Sequence, residues 1–176
     1  VVRGMSASSL NAAMPEVFAS LGSNQNREHN MRSAVRALEA GFGELRCSPV
    51  YLNKTVGFDG DDFLNMVVSF QSEQGPEEIQ KQFRYIEDEH GRVRGEKKFA
   101  PRELDIDLIL YGDLVYSGNT LSLPRADIEQ YAFVLKPLAD LHPEGIHPVL
   151  HKSFAQMWQE YDGDQDLVPF PLDFNG

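Results

Sequence analysis

Asp105 and Asp107 stand two positions apart in the stretch PRELDIDLILYG, residues 101–112. The Leu and Ile residues around them read as a β-strand over 104–111. Side chains alternate along a strand, so both carboxylates project from one face, with Cα atoms about 6.6 Å apart, twice the strand rise. Leu104, Ile106, Leu108 and Leu110 then project from the other face, towards a core. An unpaired carboxylate is costly to bury, so the aspartate face must meet solvent or a ligand. Paired Mg²⁺ ions in phosphoryl-transfer sites lie about 3.5–4 Å apart, and side chains at this spacing can converge on them. Mg²⁺ takes a few carboxylates and fills its shell with water and phosphate oxygens. The bland alternative is two surface aspartates on a half-solvated strand.

The neighbouring residues favour the ligand. GRVRGEKKFAPR, residues 91–102, carries five Lys/Arg (Arg92, Arg94, Lys97, Lys98, Arg102) and one Glu in a chain whose net charge is −11. A concentrated basic segment in an acidic protein suits phosphates, and guanidinium forks match phosphate oxygens bidentately. Phe99 lies inside the run, where an aromatic ring can stack on a purine. A second pair, Phe63 and Asn65, shares one face of another apolar stretch. A ring and a carboxamide side by side can stack on a flat heterocycle and hydrogen-bond its edge.

The elements that must hold these residues emerge from periodicity. EVFASL, 16–21, reads as a strand; GSN comes next, with Ser23 or Asn24 as a candidate helix cap. Met31, Ala34, Val35 and Leu38 mark one face of a helix over 27–40, with Gly41 as its stop. Residues 44–52 form a strand interrupted at Pro49, 53–62 a Gly- and Asp-rich loop, and 63–70 the next strand. On that strand Leu64, Met66, Val68 and Phe70 point one way, and Phe63, Asn65, Val67 and Ser69 the other. Gly75 and Pro76 open a second helix whose stripe is Ile79, Phe83, Ile86 and His90, ended by Gly91. With the strand of Asp105 the order is β-α-β-β-α-β. The fold class is α+β: a ferredoxin-like antiparallel sheet sandwich, with added C-terminal helices around 131–141 and 152–161. One domain spans 16–161, preceded by a disordered leader, 1–15, and succeeded by an irregular acidic tail, 162–176.

GRVRGEKKFAPRELDIDLILYG resembles the signature of the 6-hydroxymethyl-7,8-dihydropterin pyrophosphokinase family, roughly G-R-x-R, Trp-Gly-Pro-Arg, then D-[IL]-D and an apolar strand ending in Gly. LGSN at 21–24, FLNMVV at 63–68 and FVLKPLADLHPEGIHPVLHKS in the C-terminal part extend the resemblance from about Phe18 to Trp158. It implies a ferredoxin-like enzyme of folate synthesis that moves pyrophosphate from ATP to a pterin hydroxymethyl group and releases AMP. By the same resemblance Asp105 and Asp107 ligate two Mg²⁺ ions, and Arg92 and Arg102 hold the β- and γ-phosphates. Glu87, Arg94, Phe99, Leu108 and Ser122 line the nucleotide site. Phe63 and Phe133 sandwich a reduced pterin, Asn65 bonds its edge, and Val56 and Gly57 lie in the loop that closes over it. Asp107 and a metal-bound hydroxide are the candidate bases, and the sequence does not choose between them.

The chain departs from that pattern at several places. Phe99 replaces the Trp of the basic loop, Ala100 the Gly after it, and Arg84 a nucleotide-contacting glutamine. Arg125 and Ala126 stand where His-Pro or His-Tyr is usual, Tyr131 replaces an Arg, and Asn53 and Lys54 replace a Thr-Pro type pair. Arg125 is the candidate to supply the missing charge at the nucleotide. These departures sustain a rival reading, a weakened paralogue that binds a nucleotide or pterin without turnover.

The remaining signals are bland. A net charge of −11 disfavours a nucleic-acid binder. No apolar run is long enough to span a bilayer, so no membrane partner is expected. Cys47 is the single cysteine, which fits a reducing, cytoplasmic location and a small structural residue. There is no P-loop lysine motif, and G-x-G in AGFGEL lacks the rest of a dinucleotide fingerprint. His142, His147 and His151 are read as structural, and DGDQD at 162–166 lacks the glycine of a calcium loop. A monomer is expected.

Overall fold

The computed structural model describes residues 14–54, 62–91 and 104–175. Strand β1 (Glu16–Ser23) leads to helix α1 (Arg27–Phe42), then to two short strands, β2 (Arg46–Cys47) and β3 (Tyr51–Asn53). Strand β4 (Phe63–Gln71), helix α2 (Pro76–Glu89) and strand β5 (Asp105–Tyr111) come next. A two-stranded ribbon, β6 (Tyr116–Ser117) and β7 (Ser122–Leu123), precedes three helices: α3 (Asp127–Gln130), α4 (Ala132–Leu141) and α5 (Phe154–Glu160). Strand β8 (Leu167–Pro169) is the last element. The fold mixes helices with an antiparallel sheet.

The main sheet runs β5-β1-β4-β3-β8, with β2 also paired to β4, and every pairing is antiparallel. The break between β2 and β3 falls at Pro49, which cannot donate to a ladder. β1 and β4 lie at the centre and are almost wholly buried, because both faces of the sheet are covered. On one face Val17, Ala19, Leu21, Leu64, Met66, Val68 and Phe70 pack against α1 and α2, which contribute Met31, Leu38, Ile79 and Phe83. On the other, Phe18 and Val67 pack against Val134, Leu135, Leu138, Phe154 and Met157 from α4 and α5. The C-terminal helices thus complete a second core. Among the described residues no helix is long and apolar enough to cross a membrane.

Four expectations are corrected. Alternation on β5 holds only as far as Leu108: the register against β1 shifts between Phe18 and Ala19, and Leu110 pairs with Phe18 where strict pairing would place Ile109. A bulge inserts one residue and reverses the facing of the residues after it. Leu110 therefore joins the core under α4 and α5, away from Leu104, Ile106 and Leu108. The residue that precedes helix α1 is neither Ser23 nor Asn24 but Asn26, in a left-handed conformation with no side-chain cap, and Ser23 Oγ donates to the Gln25 carbonyl. The helix runs through Gly41 to Phe42 and stops at Gly43, whose φ of 89° only glycine adopts without strain. The tail is not irregular throughout, because Leu167–Pro169 pairs with β3 at the sheet edge and Phe170, Leu172 and Phe174 pack onto the α1/α2 core. Of the 1–15 leader only Met14 and Pro15 are described, and the Pro15 carbonyl accepts from the Ser72 N–H at 3.4 Å.

Candidate active site

β5 delivers Asp105 and Asp107 to the face under the C-terminal helices. Across the sheet Asp105 pairs with Gly22, Gly22 with Asn65, and Asn65 with Tyr51, while Asp107 pairs with Ser20 and Ser20 with Val67. Two acids and one carboxamide therefore stand in adjacent rows of one rigid surface. Gly22 lies between Asp105 and Asn65 and adds no side chain. A Cβ there would come within 2.9 Å of Asn65 Nδ2 and 3.8 Å of Phe63 Cδ1, so glycine keeps the row open.

Above this surface is a cavity of about 710 Å³. Its wall includes Ser20, Gly22, Phe63, Asn65, Asp105 and Asp107 from the sheet and Phe133 from α4. Asn65 is 5% exposed, and its Oδ1 is buried with no hydrogen-bond partner among the described residues. A buried carbonyl without a donor is costly unless a ligand or water supplies one. Phe133 is held by Tyr131, whose ring stacks on it at 4.8 Å with an interplanar angle of 20°. The arrangement suits a flat heterocycle: Phe63 and Phe133 supply faces and Asn65 supplies an edge contact.

A second cavity, about 360 Å³, opens on the other side of the same aspartates. Gln80, Arg84 and Glu87 of α2, residues 105–108 of β5, Thr120 and Arg125 line it. Glu87 is buried, and its Oε2 accepts from the Ile106 N–H at 2.9 Å, so the residue ties α2 to the strand that carries the acids. Arg125 places Nη2 3.9 Å from Asp107 Oδ1 and Nε 3.1 Å from Asp127 Oδ2. Its burial opposes the charge, but Asp107, Asp127 and Asp105 outweigh that and raise its pKa. Such a fork suits phosphate oxygens.

The structure brings together Phe63, Asn65, Phe133, Asp105, Asp107, Glu87, Leu108 and Arg125 around two adjoining cavities. It does not place Ser122 there: Ser122 pairs with Ser117 in the β6–β7 ribbon, and Thr120 lines the polar cavity instead. Val56, Gly57, Arg92, Arg94, Phe99 and Arg102 lie outside the described residues, as do Lys97, Lys98 and Ala100. Ser20 and Gly22 were within reach of sequence reasoning, since alternation puts them on one face of β1. Gln80, Thr120, Asp127, Asp164 and Asp166 carried no such signal.

Among the described residues no group of three or more His, Cys, Asp or Glu side chains is placed to hold a metal by itself. The pair on β5 fits a hard cation that completes its shell with water and phosphate oxygens. The histidines do other work. His142 stacks on Phe18 at 5.0 Å, and buried His147 accepts at Nδ1 from the Val149 and Leu150 N–H groups at 3.2 and 3.1 Å. Burial pushes the His147 pKa down. Cys47 is exposed on β2; desolvation and then Glu39 raise its thiol pKa, the opposite of an activated nucleophile.

Comparison with known proteins gives a consistent picture. A family model for 7,8-dihydro-6-hydroxymethylpterin-pyrophosphokinase matches residues 18–143. The 2-amino-4-hydroxy-6-hydroxymethyldihydropteridine pyrophosphokinase of Aquifex aeolicus is 33% identical over 159 residues, 89% of this chain and 96% of that protein. A Synechocystis protein of the same name is 34% identical over 135 residues, 76% of this chain and 69% of its own length. Among solved structures, wild-type Plasmodium falciparum HPPK-DHPS superposes with a TM-score of 0.66 at 14% identity, over 84% of this chain and 45% of that chain. This chain thus spans less than half the length of that solved structure, and the likeness speaks to the fold. By the family match and the Aquifex aeolicus relative matched over 96% of its length, the chain belongs to the 7,8-dihydro-6-hydroxymethylpterin-pyrophosphokinase family.

Proposed function

We propose that this protein transfers pyrophosphate from ATP to the hydroxymethyl group of 6-hydroxymethyl-7,8-dihydropterin and releases AMP, a step of folate biosynthesis. The observation that carries the reading is the shared wall: Asp105 and Asp107 line both the aromatic cavity and the polar cavity. An acceptor in the first and a triphosphate in the second would meet at the two carboxylates. The sheet order β5-β1-β4-β3, with β2 and β3 read as one strand broken at Pro49, supports a ferredoxin-like description.

In the proposed step the pterin hydroxyl oxygen bonds to the β-phosphorus, and the bond from that phosphorus to the α-phosphate bridging oxygen breaks. AMP leaves on that oxygen and the hydroxyl gives up its proton. Catalysis of this kind rests on positioning and charge neutralisation. Phe63 and Phe133 hold the ring plane, and Asn65 Oδ1 accepts from the pterin edge. Arg125, with Arg92 and Arg102 of the basic segment, neutralises phosphate oxygens. Asp105 and Asp107 would hold Mg²⁺, which would supply further charge stabilisation at the transferring group. Asp107 and a metal-bound hydroxide are the two candidate acceptors of the departing proton.

The test is AMP formation by the full chain with ATP, Mg²⁺ and the pterin. AMP that rises with pterin concentration is the expected result. Folded protein that binds both substrates and forms no AMP would leave only a binding module.

A further inference from the structure

The aromatic cavity has a wall that the sheet and helices do not supply. Gly163, Asp164 and Asp166, from the stretch between α5 and β8, line it together with Tyr161. This stretch is tied down at both ends. At its start Tyr161 stacks on Trp158 at 5.6 Å and donates to the Gln130 carbonyl at 3.1 Å. At its end β8 pairs with β3 through Asn53↔Leu167, Leu52↔Val168 and Tyr51↔Pro169. Beyond β8 the Phe170 N–H donates to the Val50 carbonyl at 2.9 Å, and Arg32 Nε to the Asp173 carbonyl at 2.7 Å. The C-terminal segment is thus a strap that leaves the core under α4 and α5, passes the cavity mouth, rounds the sheet edge and anchors on the opposite core. Within it Asp164 Oδ1 accepts from the Asp166 N–H at 3.2 Å, which sets the turn.

The strap changes the charge of the cavity. Five aspartates (Asp105, Asp107, Asp127, Asp164 and Asp166) and one lysine, Lys54, line the cavity among the described residues. Arg125 faces Asp107 and Asp127, and a metal ion would offset the β5 pair. Asp164 and Asp166 form no ion pair with a described cation. The same cavity holds the buried Asn65 Oδ1, which has no hydrogen-bond partner among the described residues and calls for an N–H donor from the occupant.

We infer that the strap makes the acceptor cavity a charge filter: Asp164 and Asp166 select against pterins that carry an anionic substituent, and Asn65 and the aromatic pair retain neutral ones. The inference rests on the proposed function and names two specificity-determining residues for it. The repulsion acts through solvent, because both aspartates are exposed, so it is modest and salt-dependent.

The test is fluorescence titration of the full chain with 6-hydroxymethylpterin and, separately, pterin-6-carboxylate, for wild type and for Asp164→Asn/Asp166→Asn. Asparagine keeps the oxygen that accepts the turn hydrogen bond. The expected result is a ratio of the two Kd values, carboxylate over neutral, that falls roughly three- to tenfold in the variant at low salt, with the difference shrinking at high salt. Asp166→Lys should lower the ratio further. An unchanged ratio with neutral-pterin binding intact would overturn the filter and leave the acceptor assignment standing. Wild-type protein that binds neither pterin would remove the acceptor assignment and the filter with it.

Discussion

The two cavities that meet at Asp105 and Asp107 are built in different ways. The aromatic one rests on central strands whose residues are fixed by pairing: Gly22, Phe63 and Asn65 have one register and one facing each. Its lining mixes rings, a carboxamide and acids. The polar one hangs between α2, the short β6–β7 ribbon and Arg125, and its described lining is nearly all polar or charged. A flat, weakly polar acceptor is bound by shape, which needs a rigid floor. A triphosphate is bound by charge, which long side chains can deliver after it arrives. The aspartates belong to the rigid side and present their carboxylates to both.

Substitutions can break this division in order of expected effect. Asp105→Ala or Asp107→Ala should lower kcat by about 10²–10⁴-fold, since each would remove a proposed metal ligand and with it charge stabilisation worth several kcal/mol at the transferring group. The melting temperature should change little, because these side chains face a cavity and not the core. Normal turnover per folded molecule would refute the shared seat. Phe133→Ala should raise the pterin KM roughly 5- to 100-fold, the range expected for losing a stacking partner worth about 1–3 kcal/mol. The ATP KM should stay near its wild-type value, and a parallel rise would show the cavities are not separate.

Gly22→Ala is subtler. Its Cβ would press on Asn65 Nδ2 at 2.9 Å, so the carboxamide must shift. Pterin affinity should drop by about an order of magnitude or less, with ATP affinity unchanged. Full pterin affinity would mean that Asn65 has slack the structure does not suggest. Arg125→Ala tests the polar side. ATP affinity should weaken by about 3- to 10-fold, a discounted value for a half-exposed charged contact. An unchanged ATP affinity would remove Arg125 from the nucleotide site and leave it as a counter-ion for Asp107 and Asp127.

The same contrast governs what the sequence made legible. Strict alternation located Asp105, Asp107, Phe63 and Asn65 on their faces, because strand geometry leaves little choice of side. Leu110 escaped because a bulge is a pairing event between β5 and β1, and nothing in DIDLILYG alone announces it. β8 escaped for another reason: Pro169 and Pro171 disguise an edge strand, where a missing N–H is tolerated. The strap aspartates are exposed, as an acidic tail suggests, but that they border the aromatic cavity depends on where β8 docks. Ser122 pairs with Ser117 in the β6–β7 ribbon, and Thr120 rather than Ser122 lines the described part of the polar cavity, a placement set by the ribbon and not by the local sequence. Glu87 was recognisable through the family pattern and Arg125 as a departure from it, but their partners, the Ile106 N–H and Asp127, are tertiary.

On the proposed function, one pair of carboxylates seats the metal between acceptor and nucleotide. The most direct measurement is Mn²⁺ binding, monitored by water proton relaxation, in the presence of a non-hydrolysable ATP analogue, comparing wild type with Asp105→Ala and Asp107→Ala. The expected result is tight Mn²⁺ binding by the wild-type complex and a marked loss in each variant while the fold persists. Wild-type Mn²⁺ occupancy in both folded variants would contradict it.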